Sequence, residues 1–348
     1  MYILHFFIKN ILYIYISSKK GDIKMKFSPY TDLALEIAEN ICKTSNIDGV
    51  EMQTERSSLD NTVLTIVNIT NDKGIEAMQK PIGSYITLES AYIKENNIDA
   101  HEELISILSR HIKNLCPKNT ETILVIGLGN SHVTPDSLGP KVVDKILVTR
   151  HIKDTVPDDI NNCVASVAAL APGVMGITGI ETAEVVKGVT DKVKPDLVIA
   201  IDALAARKVS RVNSTIQLSD TGVSPGAGVG NKRKTIDKET LGVPVIAIGV
   251  PTVVDAATMA NDTIERVIEA FIKESKKGSQ FYNMLKETAE EEKYNLIKEV
   301  LDPYAENMFV TPKEVDAVIE NLVNIIANSI NIAIHPGIEV DDINRYKF

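Results

Sequence analysis

Tryptophan is absent from the 348 residues, and the only other large rings are 10 tyrosines and 7 phenylalanines. A core poor in rings must be filled by Val, Ile, Leu and Ala. Cysteine is scarce too. Cys42, Cys116 and Cys163 are odd in number, widely spaced and without a CxxC pair, which excludes a disulfide framework and the common zinc spacings. No HExxH helix, GK[ST] phosphate loop or GxSxG elbow occurs, so the usual zinc-peptidase, nucleotide-hydrolase and serine-hydrolase signatures are missing. Positive charge is in deficit. Lys and Arg number 37 against 47 Asp and Glu, a net charge of −10, which repels phosphate backbones and argues against direct nucleic-acid binding.

An apolar run long enough to cross a membrane is lacking at the N-terminus. The stretch MYILHFFIKNILYIYI is broken by Lys9 and Asn10, and has neither a basic leader nor a small-residue cleavage site. Lys19-Lys20-Gly21-Asp22 can be encoded by a purine run containing AAGGAG, a bacterial ribosome-binding sequence, just ahead of Met25. Residues 1–24 are therefore expected to be a mis-called upstream extension, with translation starting at Met25.

What is present reads as a globular chain, 44 % hydrophobic and 24 % charged, long enough for one large domain or two smaller ones. Ile123–Ile126, Leu197–Ile201 and Val243–Ile248 are continuous apolar runs, as expected of parallel strands covered on both faces. Helical segments, LGPKVVDKIL and GITGIETAEVVKGVTDKV, alternate with them. Thr62–Thr70 and Pro81–Glu89 are two more strands, paired as a hairpin or crossover, and His101–Leu115 has helical apolar spacing. The fold class is α/β, with a mostly parallel or mixed central sheet flanked by helices, added strands and a helical C-terminal part. That last helix is expected to carry a capping box, with Thr311 as N-cap, Pro312 at N1 and Glu314 at N3. Its stripe of Val315, Val318, Ile319, Leu322, Val323, Ile326 and Ile330 reads as core.

Two of the buried runs lead to carboxylates. Asp202 directly follows Leu197–Ile201, and Asp136 lies beyond Ile123–Ile126, after Gly127-Leu128-Gly129-Asn130. Open parallel sheets bind ligands beyond the carboxyl ends of their strands. Thr134-Pro135-Asp136 reads as a helix start, with Thr134 as N-cap and Pro135 at N1. Two carboxylates in one crevice share a proton, so one can act as base toward water while the other polarises a carbonyl. The plainer alternative makes Asp136 a helix-start residue and Asp202 a strand-end cap. Asn130, Thr134, Arg207 and Asp255 are candidates for supporting or substrate-binding roles. The lone His132 and His335 read as satisfied or exposed histidines, and the glycine-rich SPGAGVGNKRK (Ser224–Lys234) as a closely approached loop. No metal-ligand or cofactor pattern is found, so none is expected.

Beyond these residue-level readings, the stretches TDLALE, ERSSLDNTVLTIVNITNDKG, KPIGSYITLE, VIGLGNSHVTPDSLGP, SVAALAPGVMGITGIETAEVVKGV, DLVIAIDALAAR, SPGAGVGNKRK, GVPVIAIGVPTVVDA and NMFVTPKEVD resemble the germination protease, or spore endopeptidase, family over roughly Tyr30 to His335. The resemblance implies an endopeptidase that degrades small acid-soluble, DNA-protecting spore proteins early in germination. It implies a self-processing zymogen, a homotetramer, and residence in the cytoplasm of the forespore and spore core. Its proposed catalytic pair falls on Asp136 and Asp202, and its self-processing bond on Asp32–Leu33. Residues 25–32 would then be a propeptide and 33–348 a single peptidase domain with a fold like that of hydrogenase maturation endopeptidases. A metal-dependent enzyme of that second group is the alternative, through Gly127-x-Gly129-Asn130, Asp136 and Gly139, although Pro135 stands where that group has a second aspartate. A non-catalytic nucleotide-binding module is the alternative of another class.

Overall fold

The computed structural model describes residues 31–42, 47–57, 59–153, 155, 157, 161, 163–225, 234–274 and 308–342. One mixed sheet of nine strands organises them: β1 (Val50–Arg56), β2 (Thr62–Ile69), β3 (Gly83–Ser90), β4 (Thr122–Gly127), β5 (Ser166–Leu170), β6 (Leu197–Ala206), β7 (Thr215–Ser219), β8 (Val245–Asp255) and β9 (Phe309–Val310). The order is β1-β2-β3-β7-β8-β6-β4-β5, with β9 paired to the end of β8. β8, β6, β4 and β5 run parallel, while β1, β2, β3 and β7 extend the sheet in antiparallel steps from β8. The helices of six residues or more are α1 (Ala34–Cys42), α2 (Asp72–Met78), α3 (Ile98–Leu115), α4 (Leu138–Val143), α5 (Thr182–Val193), α6 (Ala256–Glu274) and α7 (Val315–Ile334).

The continuous apolar runs are explained by burial on both sides. Ile123 and Val125 of β4, with Leu197, Ile199 and Ile201 of β6, pack beneath α3, α4 and α7. The alternate residues Leu124, Ile126, Val198 and Ala200 pack against α5 on the opposite face. Every residue of the expected α7 stripe is buried. This helix is long and apolar enough to cross a membrane, yet its apolar residues are spent on the core.

Four details differ from the sequence expectations. β6 and β8 run on past their apolar cores, to Ala206 and Asp255. The expected pair at 62–70 and 81–89 is antiparallel, but α2, capped by Asn71, fills the connection. The Thr311 capping box does not form: α7 begins at Val315, and the Thr311 hydroxyl donates to the Thr252 carbonyl at 2.9 Å. Thr134 is the first residue of a 3₁₀ turn and Val133 takes the cap position, because the Asp136 N–H closes onto the Val133 carbonyl at 2.8 Å.

Candidate active site

The site forms where β4 stops and β6 does not. The last pair between them is Gly127 with Ile201, and the Leu128 N–H donates to the Ile201 carbonyl at 2.8 Å. Asp202 is thus the first β6 residue beyond β4, not the end of its own strand. It is 5 % exposed, and its Oδ1 accepts the Ala203 N–H at 3.0 Å. The chain leaving β4 folds back at once. Asn130 Oδ1 accepts the His132 N–H, Val133 N–H reaches the Asn130 carbonyl, and the 3₁₀ turn Thr134–Asp136 follows. Asp136 then returns its carboxylate to the start of the loop, where Oδ2 accepts the Asn130 N–H at 2.8 Å. Gly129, at φ +114, makes this closure possible, since a Cβ there would lie 2.0 Å from the Asp136 carbonyl oxygen.

Asp136 and Asp202 line one cavity of about 410 Å³. Its remaining wall is largely apolar, built from Leu128, Val133, Pro135, Val174, Leu204 and Phe309, among others, with the hydroxyl-bearing Thr182, Thr252 and Thr311. Two acidic groups facing an apolar hollow have what hydrolysis needs: a proton acceptor for water, a proton donor for a carbonyl or amine, and little competing solvent.

The other sequence candidates are distributed differently. Asn130 supports Asp136 through its backbone. Thr134 does so through a carbonyl that accepts the Ser137 N–H and hydroxyl. Arg207 and Asp255 do not line the cavity. Arg207 donates its N–H to Glu36 and its guanidinium to Asn40, which ties it to α1. Asp255 caps α6 through Thr258. Asp32 donates its N–H to the Ala205 carbonyl at 3.0 Å and accepts the Ala205 N–H at 2.9 Å, while Leu33 is fully buried. The Asp32–Leu33 bond therefore lies beside β6 three residues beyond Asp202, about 10 Å along the strand at ~3.3 Å per residue. Most of SPGAGVGNKRK falls outside the described residues. Of its ends, Pro225 lines the cavity and Lys234 pairs with Glu184. The residues that sequence reasoning missed, Thr252, Phe309 and Thr311, come from the overrun of β8 and its pairing with β9, which no apolar run announces.

Fold and cavity together define an α/β protein in which two aspartates line one cavity beside the carboxyl ends of parallel strands. A family model described as germination protease matches residues 31–289 and 273–347. The germination proteases of Clostridium acetobutylicum and Clostridium tetani are 51 % and 50 % identical to the chain, each over 91 % of it and 98 % of the relative. That of Bacillus pumilus is 41 % identical over 93 % of the chain and 98 % of the relative. A [NiFe] hydrogenase maturation protease, HycI from Thermococcus kodakarensis KOD1, aligns structurally with a TM-score of 0.27 and 17 % identity, over 57 % of this chain and 98 % of that one. The chain belongs to the germination protease family, and so is a peptidase.

Proposed function

We propose that the protein is an endopeptidase that begins the degradation of small acid-soluble, DNA-protecting spore proteins during germination, with Asp136 and Asp202 as its catalytic pair. The observation that carries this reading is the delivery of both carboxylates into one largely apolar cavity by the ends of neighbouring strands. One carboxylate, ionised, takes a proton from a water molecule, whose oxygen attacks the peptide carbonyl. The other, protonated, donates its proton to the carbonyl oxygen; when the tetrahedral intermediate collapses it takes that proton back, while the first carboxyl group passes the proton it took from water to the departing amine. In this reading the two carboxyl groups hold one proton between them, because ionising both within one largely apolar cavity is costly. The homotetramer, the location in the forespore and spore core, and self-processing at Asp32–Leu33 belong to the same reading. The start of α1 packs that bond beside β6, so processing requires the segment to release first.

Asp136→Asn and Asp202→Asn are each expected to cut turnover of a small acid-soluble spore protein by about 10²–10⁴-fold or more while leaving thermal melting unchanged. Near wild-type turnover by either variant rules the pair out. Among the described residues, no group of three His, Cys, Asp or Glu side chains comes together to hold a metal. Activity is accordingly expected to persist in strong chelator. Loss on chelation with recovery on adding zinc would replace the aspartate-only mechanism with a metal-assisted one.

A further inference from the structure

An exposed apolar patch adjoins the cavity of Asp136 and Asp202. Between β5 and α5 the chain lines that cavity twice, at Val174 and at Thr182, and between the two it turns outward. The excursion contains the one-turn helix Met175–Thr178 and leaves Met175, Ile177 and Ile180 45 %, 60 % and 49 % exposed. Val133, on the Asp136 loop, lines the same cavity and is exposed as well. The excursion is tied to itself. The Gly179 N–H donates to the Met175 carbonyl at 2.8 Å and the Ile180 N–H to the Thr178 hydroxyl at 3.2 Å. The Thr182 hydroxyl closes the neck on the Gly173 carbonyl at 3.3 Å. Gly173 and Gly179 bound the turn in the left-handed region, at φ +73 and +69, and a Cβ at Gly179 would meet nothing. Backbone freedom, not close packing, is therefore what that glycine provides. At the foot of the turn, Glu181 Oε1 is shut off from solvent with no hydrogen-bond partner among the described residues, an arrangement that costs free energy. A compact loop with adjoining ends and mostly internal bonds can move as a unit.

We propose that the 173–182 turn is a flap that closes over the substrate's peptide chain, with Met175, Ile177 and Ile180 as its apolar contacts. The proposal rests on the reading of the adjoining cavity as the peptidase site. Three half-exposed side chains fall far short of the ~800 Å² per partner that a stable protein–protein interface buries. They are commensurate with one extended peptide laid across a cavity of about 410 Å³. Position points the same way. Val174 and Thr182 make the patch continuous with the cavity wall, and exposed apolar surface at such a rim marks a binding contact. Side chains that stand in water while the cavity is empty gain by covering the bound chain. Movement of the turn also frees the Glu181 oxygen to find a donor.

The test uses the full chain, which has no tryptophan of its own. Ile177→Trp, placed in an Asp202→Asn background that stops turnover, therefore supplies a single fluorescent reporter on the flap. On saturation with a small acid-soluble spore protein free of tryptophan, its emission is expected to shift to the blue and its quenching by acrylamide to fall. On the otherwise unaltered chain, Ile177→Ser is expected to raise KM for the same spore protein about tenfold, with kcat and thermal melting unchanged, the mark of a contact made equally before and during the reaction. Emission that stays put, or a KM that Ile177→Ser leaves alone, overturns the flap. Quenching that is already weak without substrate and weakens further as protein concentration rises assigns the patch to a second copy of the chain, and overturns it too. Turnover by Asp202→Asn is a separate result that counts against the catalytic pair alone, so the two failures are distinguishable.

Discussion

Gly129 bears the tightest constraint on the catalytic loop. The left-handed backbone and the 2.0 Å approach of a would-be Cβ to the Asp136 carbonyl act together, so Gly129→Ala must open the loop that holds the Asp136 carboxylate on Asn130. The expected outcome is a fall in kcat of at least about tenfold with a stability loss of about 1–3 kcal/mol, the cost of one strained residue. Parallel kinetics and thermal melts check it. Unchanged kcat would show that Asp136 needs no such closure. A second glycine, Gly139, brings the start of α4 onto the end of β4, for a Cβ there would meet the Leu128 carbonyl at 2.3 Å. Both glycines lie in the GLGNSHVTPDSLG stretch, which is how a short segment sets a carboxylate against a strand end. Asp202 and Asp136 stand out as candidates in the sequence because each follows a continuous apolar run, although Asp202 lies within β6 and Asp136 on the 3₁₀ turn after β4. Arg207 and Asp255 looked equivalent there, since proximity to a strand does not reveal whether a side chain turns to the cleft, to α1 or to a helix cap.

At the scale of elements, the connection from β6 to β7 is clamped by a single guanidinium. Arg211, 6 % exposed, donates to Glu39 on α1 and Glu89 on β3, and lies 3.5 Å from the buried Glu36. Burial alone would lower its pKa, but Glu39 and Glu89 more than offset this and hold the arginine charged. Arg211→Met is expected to destabilise the fold by about 3–5 kcal/mol, because it leaves three carboxylates facing one another around a buried position. Urea melts check this, and adding Glu39→Gln should restore part of the loss. A cost under about 1 kcal/mol would mean that the cluster is solvated. None of this is legible in the sequence, where Arg211 is one basic residue in the stretch after β6 and nothing marks its distant partners Glu39 and Glu89. The strands show the same division. β4, β6 and β8 declare themselves because both faces are buried. β1 goes unread because six of its seven residues are exposed and carry no alternation, and β5 and β7 because each is only five residues long. Thr311 misleads for a tertiary reason: its hydroxyl is used on Thr252 and not on its own helix.

For the molecule as a whole, the C-terminal helix is stapled to the far edge of the sheet, and a histidine closes the staple. Asn331 holds the backbone of Leu147 and Lys145, and the Gly337 N–H donates to the Cys163 carbonyl. Between these, the fully buried His335 accepts the Ala165 N–H at Nδ1 and bonds the Leu147 carbonyl through Nε2. That pattern needs a neutral ring with its proton on Nε2. A second proton would face the Ala165 N–H, with no acceptor there. Burial lowers the pKa to about 4; the Leu147 bond acts in the opposite sense, and Lys153 adds a little to the lowering. The unfolded chain, with a histidine near 6.5, takes up a proton that the folded one refuses. Stability contributed by His335 is therefore complete above about pH 6.5 and is lost as pH falls toward 4, by on the order of 3 kcal/mol in all. Urea melts of the wild type from pH 7 to pH 4 should show this slope. In His335→Gln, which lacks a titrating group at this position, the slope over that window should be shallower, whatever the variant's stability at pH 7. An equal slope in the two proteins would show that His335 takes its proton without unfolding, and that the staple opens locally instead.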